Sequence, residues 1–203
     1  MGFSAITAIE ADIANGAAIS EEFEMSVCFN PHSSLDAAYS TDDLTTALGS
    51  CVFEEVGKIQ SDSALKIARE FIDVGDDWLN IPKNEKVSVE GKLLQTGDVK
   101  VVAHILGKSL DSTSDDKYDI LGLSDKPEIP GKYLYRLMSS TSDGRKVLIY
   151  FWRGQMVCPE FSIQGNDPAN PPTFTLNAAP DTSKVKEIRR GIVLYEKRKV
   201  SSP

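Results

Sequence analysis

Apolar and polar side chains alternate along several stretches of this chain, the pattern of strands that bury one face. In the stretch 65–71, Leu65, Ile67 and Phe71 lie on one face and polar or small residues on the other, and 87–93 repeats the design. Residues 73–85 between them are polar, so the pattern predicts a long hairpin of two amphipathic strands joined by a polar loop. Further strands are predicted at 23–29, 133–137, 147–152, 161–163, 174–176 and, as a last strand or docking tail, 188–194.

A second hairpin is predicted around the run Ser142-Asp143-Gly144, because glycine supplies the positive φ that tight hairpin turns require. The strand after this turn, 147–152, is apolar on both faces. We therefore expect this strand either to lie centrally in the sheet or to be covered on both sides.

Helical spacing is confined to short stretches. Apolar residues recur every three or four positions between Asp98 and Leu106, which predicts a helix of about three turns. A short helical turn is predicted from 41 to 48, within an otherwise loop-like region, 30–57. The expected fold is mainly β, an antiparallel β-sandwich or barrel with one flanking α-helix and extended loops or arms, in a single domain over 1–203.

Charge is unevenly distributed along the 203 residues. Residues 1–57 contain ten acids and no lysine or arginine, whereas 184–199 contains seven bases and two acids. This gives an acidic N-terminal region of about 60 residues and a basic tail over 184–203. Both ends are either solvated surface or complementary surfaces for head-to-tail association between copies. Under the second interpretation Arg189 and Arg190, together with Trp78 in the loop of the first hairpin, are the candidates for contacts between subunits.

No catalytic or metal-binding constellation is evident in the sequence. The two histidines, His32 and His104, have no partner at zinc-ligand spacing, and the glycines form neither a phosphate loop nor a dinucleotide fingerprint. The carboxylates of 111–119 lack the order of a calcium loop. Three widely spaced cysteines do not suggest a disulfide framework. We therefore expect no enzyme activity, no cofactor and no metal, and the absence of a long apolar run predicts no membrane partner.

The order of these elements carries a resemblance to a known family. It lies in the runs LGSCVFEEVG (48–57), LKIAREF (65–71), VSVEGKL (87–93), ILG at the helix end (105–107), VLIYFWRG (147–154) and FTLNAAPD (174–181). Over residues 44–181 the chain resembles the major tail tube proteins of long-tailed bacteriophages. That resemblance implies a β-sandwich with a flanking helix, six copies in a ring, and long hairpins that join into an inner barrel.

The resemblance also implies a function and a set of partners. The chain would form stacked rings that conduct genome DNA without binding it specifically, in a virion tail assembled in the bacterial cytoplasm. Its partners would be copies of itself and the tape-measure, terminator and baseplate or tip proteins. A channel for DNA should repel phosphates, so Glu70, Glu85 and Glu90, on or beside the paired strands, are the candidates for the lumen.

Two other functions fit the same pattern of strands. One is a different ring-forming component of a phage tail or head, such as a terminator, a baseplate tube or a decoration protein. The other is a monomeric β-sandwich module that binds a peptide or a carbohydrate. The acidic start and basic finish favour self-assembly, because a monomeric module does not need complementary ends.

Overall fold

The structure is a computed structural model that describes residues 19–29, 46–73, 80–94, 102–104, 106, 117–118, 132–159 and 172–197. Strands dominate the described residues, and every pairing between them is antiparallel. The strands are β1 (Glu22–Cys28), β2 (Glu54–Asp73), β3 (Asn80–Leu93), β4 (Tyr133–Ser140), β5 (Lys146–Val157), β6 (Thr173–Ala179) and β7 (Gly191–Tyr195). A 3-10 helix, Lys186–Ile188, precedes β7. The predicted mainly β fold is confirmed.

Six of the strands close into a barrel. They follow the order β4-β1-β2-β3-β6-β5, and pairing between β4 and β5 closes the circle. On the side away from β4, β5 pairs with two strands in succession. Its second half pairs with β6, from Arg153 to Val157, and its first half pairs with β7, from Val147 to Phe151. The barrel alternative of the predicted fold is therefore the one observed, with β7 as an added strand.

The barrel interior is the main hydrophobic core. All six barrel strands contribute side chains to it, with Met25, Ile59, Val89, Leu137 and Leu176 fully buried. A second cluster covers the outer face of β4 and β5 and includes Leu134, Tyr150 and Trp152, with the helical turn 46–49 packed against them. Burial of each such side chain contributes on the order of 2 kcal/mol to folding, so these two clusters fix the register of the strands.

Most predicted elements are found where the pattern placed them. The β4–β5 hairpin turns at Gly144 with φ of 82°, and β5 is buried on both faces as expected. Val102–His104 is helical, and the amide of Leu106 donates to the carbonyl of Val102 at 3.0 Å. The remainder of the predicted helix, residues 41–45 of the helical turn and the strand at 161–163 lie outside the described residues.

The bounds of the first hairpin were predicted wrongly on both strands. The strand β2 begins at Glu54, inside the region expected to be loop, because a bulge opposite Met25 and Ser26 and a φ of 139° at Gly57 interrupt its alternation. The strand β3 begins at Asn80, within the expected polar loop, and contains Pro82. Proline fits there because β3 has a strand on only one side at this point, so its missing N–H breaks no second ladder.

Candidate functional site

The β2–β3 hairpin extends well beyond the barrel. The ladder between β1 and β2 ends at the Glu22–Gln60 pair, and the ladder between β3 and β6 ends at the Ser88–Asn177 pair. Past these points β2 and β3 continue to pair with each other as far as Asp73 and Asn80. At about 3.3 Å per residue, this projection is about 25 Å long.

Both edges of the projecting hairpin are open within the part of the chain that the structure describes. There, no third strand pairs with 62–73 of β2 or with 80–87 of β3. In an antiparallel ladder, alternate residues direct their N–H and C=O groups away from the partner strand. Both margins therefore present rows of backbone donors and acceptors. A two-stranded hairpin is only marginally stable alone, and such edges attract further strands.

The two faces of the hairpin differ in character. Ile67 lies opposite Val87 and Arg69 opposite Glu85 on one face, which we call the groove face. Lys66, Ala68 and Lys86 alternate with these residues on the other, the open face. One ion pair lies on each face. On the groove face, the Nε of Arg69 lies 2.9 Å from the Oε2 of Glu85. On the open face, the Nζ of Lys66 lies 3.0 Å from the Oε1 of Glu90. Such exposed pairs contribute about 0–1 kcal/mol each, so they mainly neutralise charge and align the strands.

A groove of about 620 Å³ separates the groove face from the C-terminal segment. The hairpin side is lined by Leu65, Ile67, Glu85 and Val87. The other side is lined by Phe151 of β5 and by Pro180, Lys186, Glu187, Arg189, Arg190, Gly191, Ile192 and Val193. The groove therefore combines an apolar wall with a cluster of three cations.

Backbone carbonyls hold the two arginines of this cluster. The Nη1 of Arg190 donates to the carbonyl of Ala178 at 2.7 Å, and the Nε of Arg189 donates to the carbonyl of Lys184 at 3.3 Å. Among the described residues, neither guanidinium forms a salt bridge with a carboxylate. Their positions are fixed while their charge remains available to an anion.

The segment that carries these cations is anchored to the barrel by Trp152. The indole N–H of Trp152 donates to the carbonyl of Ile188, and the ammonium of the buried Lys184 lies 5.9 Å from the centre of its ring. The amide of Asp181 donates to the carbonyl of Arg189 at 2.7 Å. With the β5–β7 ladder, these contacts make the C-terminal wall of the groove part of the folded barrel.

The candidate residues from the sequence have different locations. Glu85 lines the groove, whereas Glu90 is on the open face, so the two cannot line one channel. The backbone of Glu70 lies opposite Asn84, but its side chain is outside the description, as is Trp78. Arg189 and Arg190 both line the groove. The Arg69–Glu85 pair was not predicted from the sequence. Alternation could have indicated it, because Arg69 lies two residues from Ile67 and Glu85 two residues from Val87, which places both on the face of Ile67 and Val87.

In the part of the chain that the structure describes, no group of three His, Cys, Asp or Glu side chains could hold a metal ion, and the three cysteines form no disulfide with one another. His104 sits in an aromatic cluster, with its Nε2 2.7 Å from the hydroxyl of Tyr135 and its ring beside Phe29 and Tyr133. Burial lowers the pKa of His104 to about 4 and raises that of Tyr135. No described helix has the length and apolar character to cross a membrane.

The burial of His104 predicts a loss of stability in mild acid. Because its pKa is about 4 in the folded chain and 6.5 in the unfolded one, only the unfolded chain takes up the proton between those values. Stability is full above pH 6.5 and falls as the pH drops towards 4. We expect this residue to lower the free energy of unfolding by about 2 kcal/mol between about pH 8 and pH 5. Urea unfolding at both pH values measures the loss, and His104→Gln should remove that share of it.

Neither the protein-family models nor the curated proteins include a match to this chain.

Proposed function

We propose that this chain is the subunit of a self-assembling tube of the tail-tube type, in which copies form rings and the rings stack. The observation that carries the proposal is the hairpin of β2 and β3, whose described edges are both open over 62–73 and 80–87. A monomer gains nothing from such edges and is exposed to uncontrolled pairing. Pairing between copies satisfies them and removes the hazard.

The geometry of the hairpin suits a closed ring. If the open edge of β3 in one copy pairs with the open edge of β2 in the next, the contact is head-to-tail and repeats around an axis. If the ring axis runs parallel to the hairpin strands, rotation about it preserves strand direction, so β2 runs one way along the axis in every copy and β3 runs the opposite way. Every new pair is then antiparallel, like the pair inside each subunit, so the hairpins form one continuous barrel.

The open face of the hairpin is the better candidate for the channel wall. The groove face is already directed towards the C-terminal segment of its own chain, whereas Lys66, Ala68 and Lys86 of the open face are exposed. On the open face, the ion pair with Glu90 neutralises Lys66. A lysine that is paired with a carboxylate does not bind DNA phosphates with release of counterions, and this suits a channel through which DNA passes unbound. In this proposal Glu90 borders the lumen and Glu85 does not.

The remaining expectations follow from this proposed role. The partners are copies of the same chain, then tape-measure, terminator and baseplate or tip proteins, with DNA passing through unbound. The location is the virion tail, after assembly in the cytoplasm of a bacterial host. Neither an enzymatic step nor a cofactor is part of the proposal.

The oligomeric state of the purified chain tests the proposal. We expect size-exclusion chromatography with light scattering to detect assemblies, and negative-stain microscopy to reveal rings or tubes of uniform width. A lone cap-like ring that never stacks would favour another ring-forming component of a tail or head. A dispersed monomer at every concentration would contradict the proposal and favour a peptide- or carbohydrate-binding module.

A further inference from the structure

The groove lies where the barrel wall changes strands. The strand β6 ends at Ala179, and from Phe151 to Val147 its place beside β5 is taken by β7. Gly191, Ile192 and Val193 of β7 line the groove on one side, and Glu85 and Val87 of β3 line it on the other. Within the described residues β7 pairs only with β5, so its second edge is open at this gap.

The chemistry of the lining indicates what could bind there. The wall of Leu65, Ile67 and Val87 is apolar, and Ile67 is 49% exposed although it is an isoleucine. Lys186, Arg189 and Arg190 add three positive charges. Of the two carboxylates in the lining, Glu85 is already paired with Arg69, which leaves Glu187. The groove therefore suits an extended segment with apolar and acidic side chains, which could add a strand to the edge of β7.

We propose that the groove binds residues 9–13 from the N-terminal segment of a second copy of this chain. This run reads Ile9-Glu10-Ala11-Asp12-Ile13, so apolar and acidic residues alternate with the period of a strand. In an extended conformation the isoleucines face one way, towards the apolar wall, and the two carboxylates face the other, towards the cations. Residues 1–57 contain no lysine or arginine that would oppose the three cations.

The choice of a second copy rests on the proposed self-assembly. The contact is head-to-tail, because an acidic segment of one subunit meets a basic segment of another, and such contacts repeat along a ring or a tube. The described chain enters the barrel at Ile19, which bridges to Thr141 at the end of β4. The strands β4 and β5 separate this entry point from β7.

Binding of a synthetic peptide tests the groove directly. A fluorescent peptide of residues 4–18 is titrated into the full chain and followed by anisotropy. We expect Arg189→Glu with Arg190→Glu to weaken binding about tenfold or more, since both charge contacts become repulsive. The matched control, Lys92→Glu with Arg153→Glu, makes the same change in net charge outside the groove and should bind like the parent.

A reversed peptide separates charge recognition from damage to the fold. We expect the peptide with Glu10→Lys and Asp12→Lys to bind the parent weakly and the Arg189→Glu, Arg190→Glu chain well. Equal binding of both peptides to both chains would overturn the proposal, as would no binding to the parent.

Mixed cross-linking establishes which copy supplies the segment. A chain with Ala11→Cys is mixed with one carrying Ile67→Cys, oxidised and digested for mass spectrometry. We expect a disulfide between these two positions in the mixture and none when Leu94→Cys replaces Ile67→Cys. If the two cysteines placed in one chain pair only within monomers, the second-copy claim is wrong.

These results are separable from the proposed function. Rings that assemble although the peptide does not bind would overturn the groove proposal and leave the tube standing. A monomer that binds the peptide would overturn the tube instead.

Discussion

Replacing residues 67–87 by the dipeptide Asn-Gly is expected to give a folded barrel that no longer assembles. Lys66 and Ser88 are paired across β2 and β3, so a two-residue turn can join them directly. The change removes the open edges beyond this pair and keeps the ladders that close the barrel, from Glu54 to Gln60 and from Ser88 to Lys92. If copies associate through these edges, the contact is lost, because the open edge of β3 over 80–87 is gone and only 62–66 of the β2 edge remains.

The shortened chain should remain close to the parent in stability. Among the removed side chains that the structure describes, Val87 is half-buried against the core. Ile67, on the groove face, is exposed. Loss of Val87 costs about 1 kcal/mol, or about 2–4 °C in the melting temperature of a chain this size. Circular dichroism with thermal melting checks the fold, and light scattering with microscopy checks assembly. Ala68→Ser, which keeps both strands, should assemble like the parent, and rings formed by the shortened chain would contradict the edge-pairing mechanism.

The parts of the fold that depend on local pattern were predictable from the sequence. In the β4–β5 hairpin, the Ser-Asp-Gly turn, the alternation before it and the doubly apolar strand after it all indicate one structure. The strands β1 and β6 were also found from alternation, because β6 and the first half of β1 bury every second residue. The last strand, predicted at 188–194, is β7 (Gly191–Tyr195), since a 3-10 helix occupies Lys186–Ile188. Local and tertiary preferences agree at these positions.

The hairpin bounds were not predictable, because there tertiary pairing overrides local signals. The start of β2 carries adjacent acids, Glu54 and Glu55, and a glycine at 57, which indicate a loop when taken alone. Pairing with β1 through a bulge makes this stretch a strand. Pro82 argued against a strand in the same way, yet it is tolerated on an edge.

The candidate site was predictable in its charge but not in its geometry. The basic run containing Arg189 and Arg190 was visible as a surface of complementary charge. No pattern in the sequence brings that run beside Ile67 and Val87, because the contact depends on β7 taking the place of β6 along β5. The two lumen candidates Glu85 and Glu90 separate for a simpler reason. They are an odd number of residues apart on one regular strand, so they point to opposite faces.

Trp152→Ala is expected to cause the second large effect, by loosening the part of the C-terminal groove wall that precedes β7. The indole is 4% exposed, donates to the carbonyl of Ile188 and lies beneath the ammonium of Lys184. Truncation of a buried tryptophan costs about 3–5 kcal/mol, through lost contacts and the cavity left behind. It also leaves the Ile188 carbonyl without its donor, so the segment 184–190 loses one of its anchors to the barrel.

The matched variant Trp152→Phe separates packing from the hydrogen bond. It keeps most of the buried ring but removes the N–H, and we expect a loss of about 1–2 kcal/mol. Denaturant unfolding measures both losses, and hydrogen exchange should speed up at 186–192 in the alanine variant more than in the barrel strands. Binding of the residue 4–18 peptide should fall with the same order, alanine below phenylalanine below the parent. If the alanine variant kept full peptide affinity while 186–192 exchanged freely, the position of Arg189 and Arg190 would not determine recognition. The groove would then have to act through its apolar wall alone.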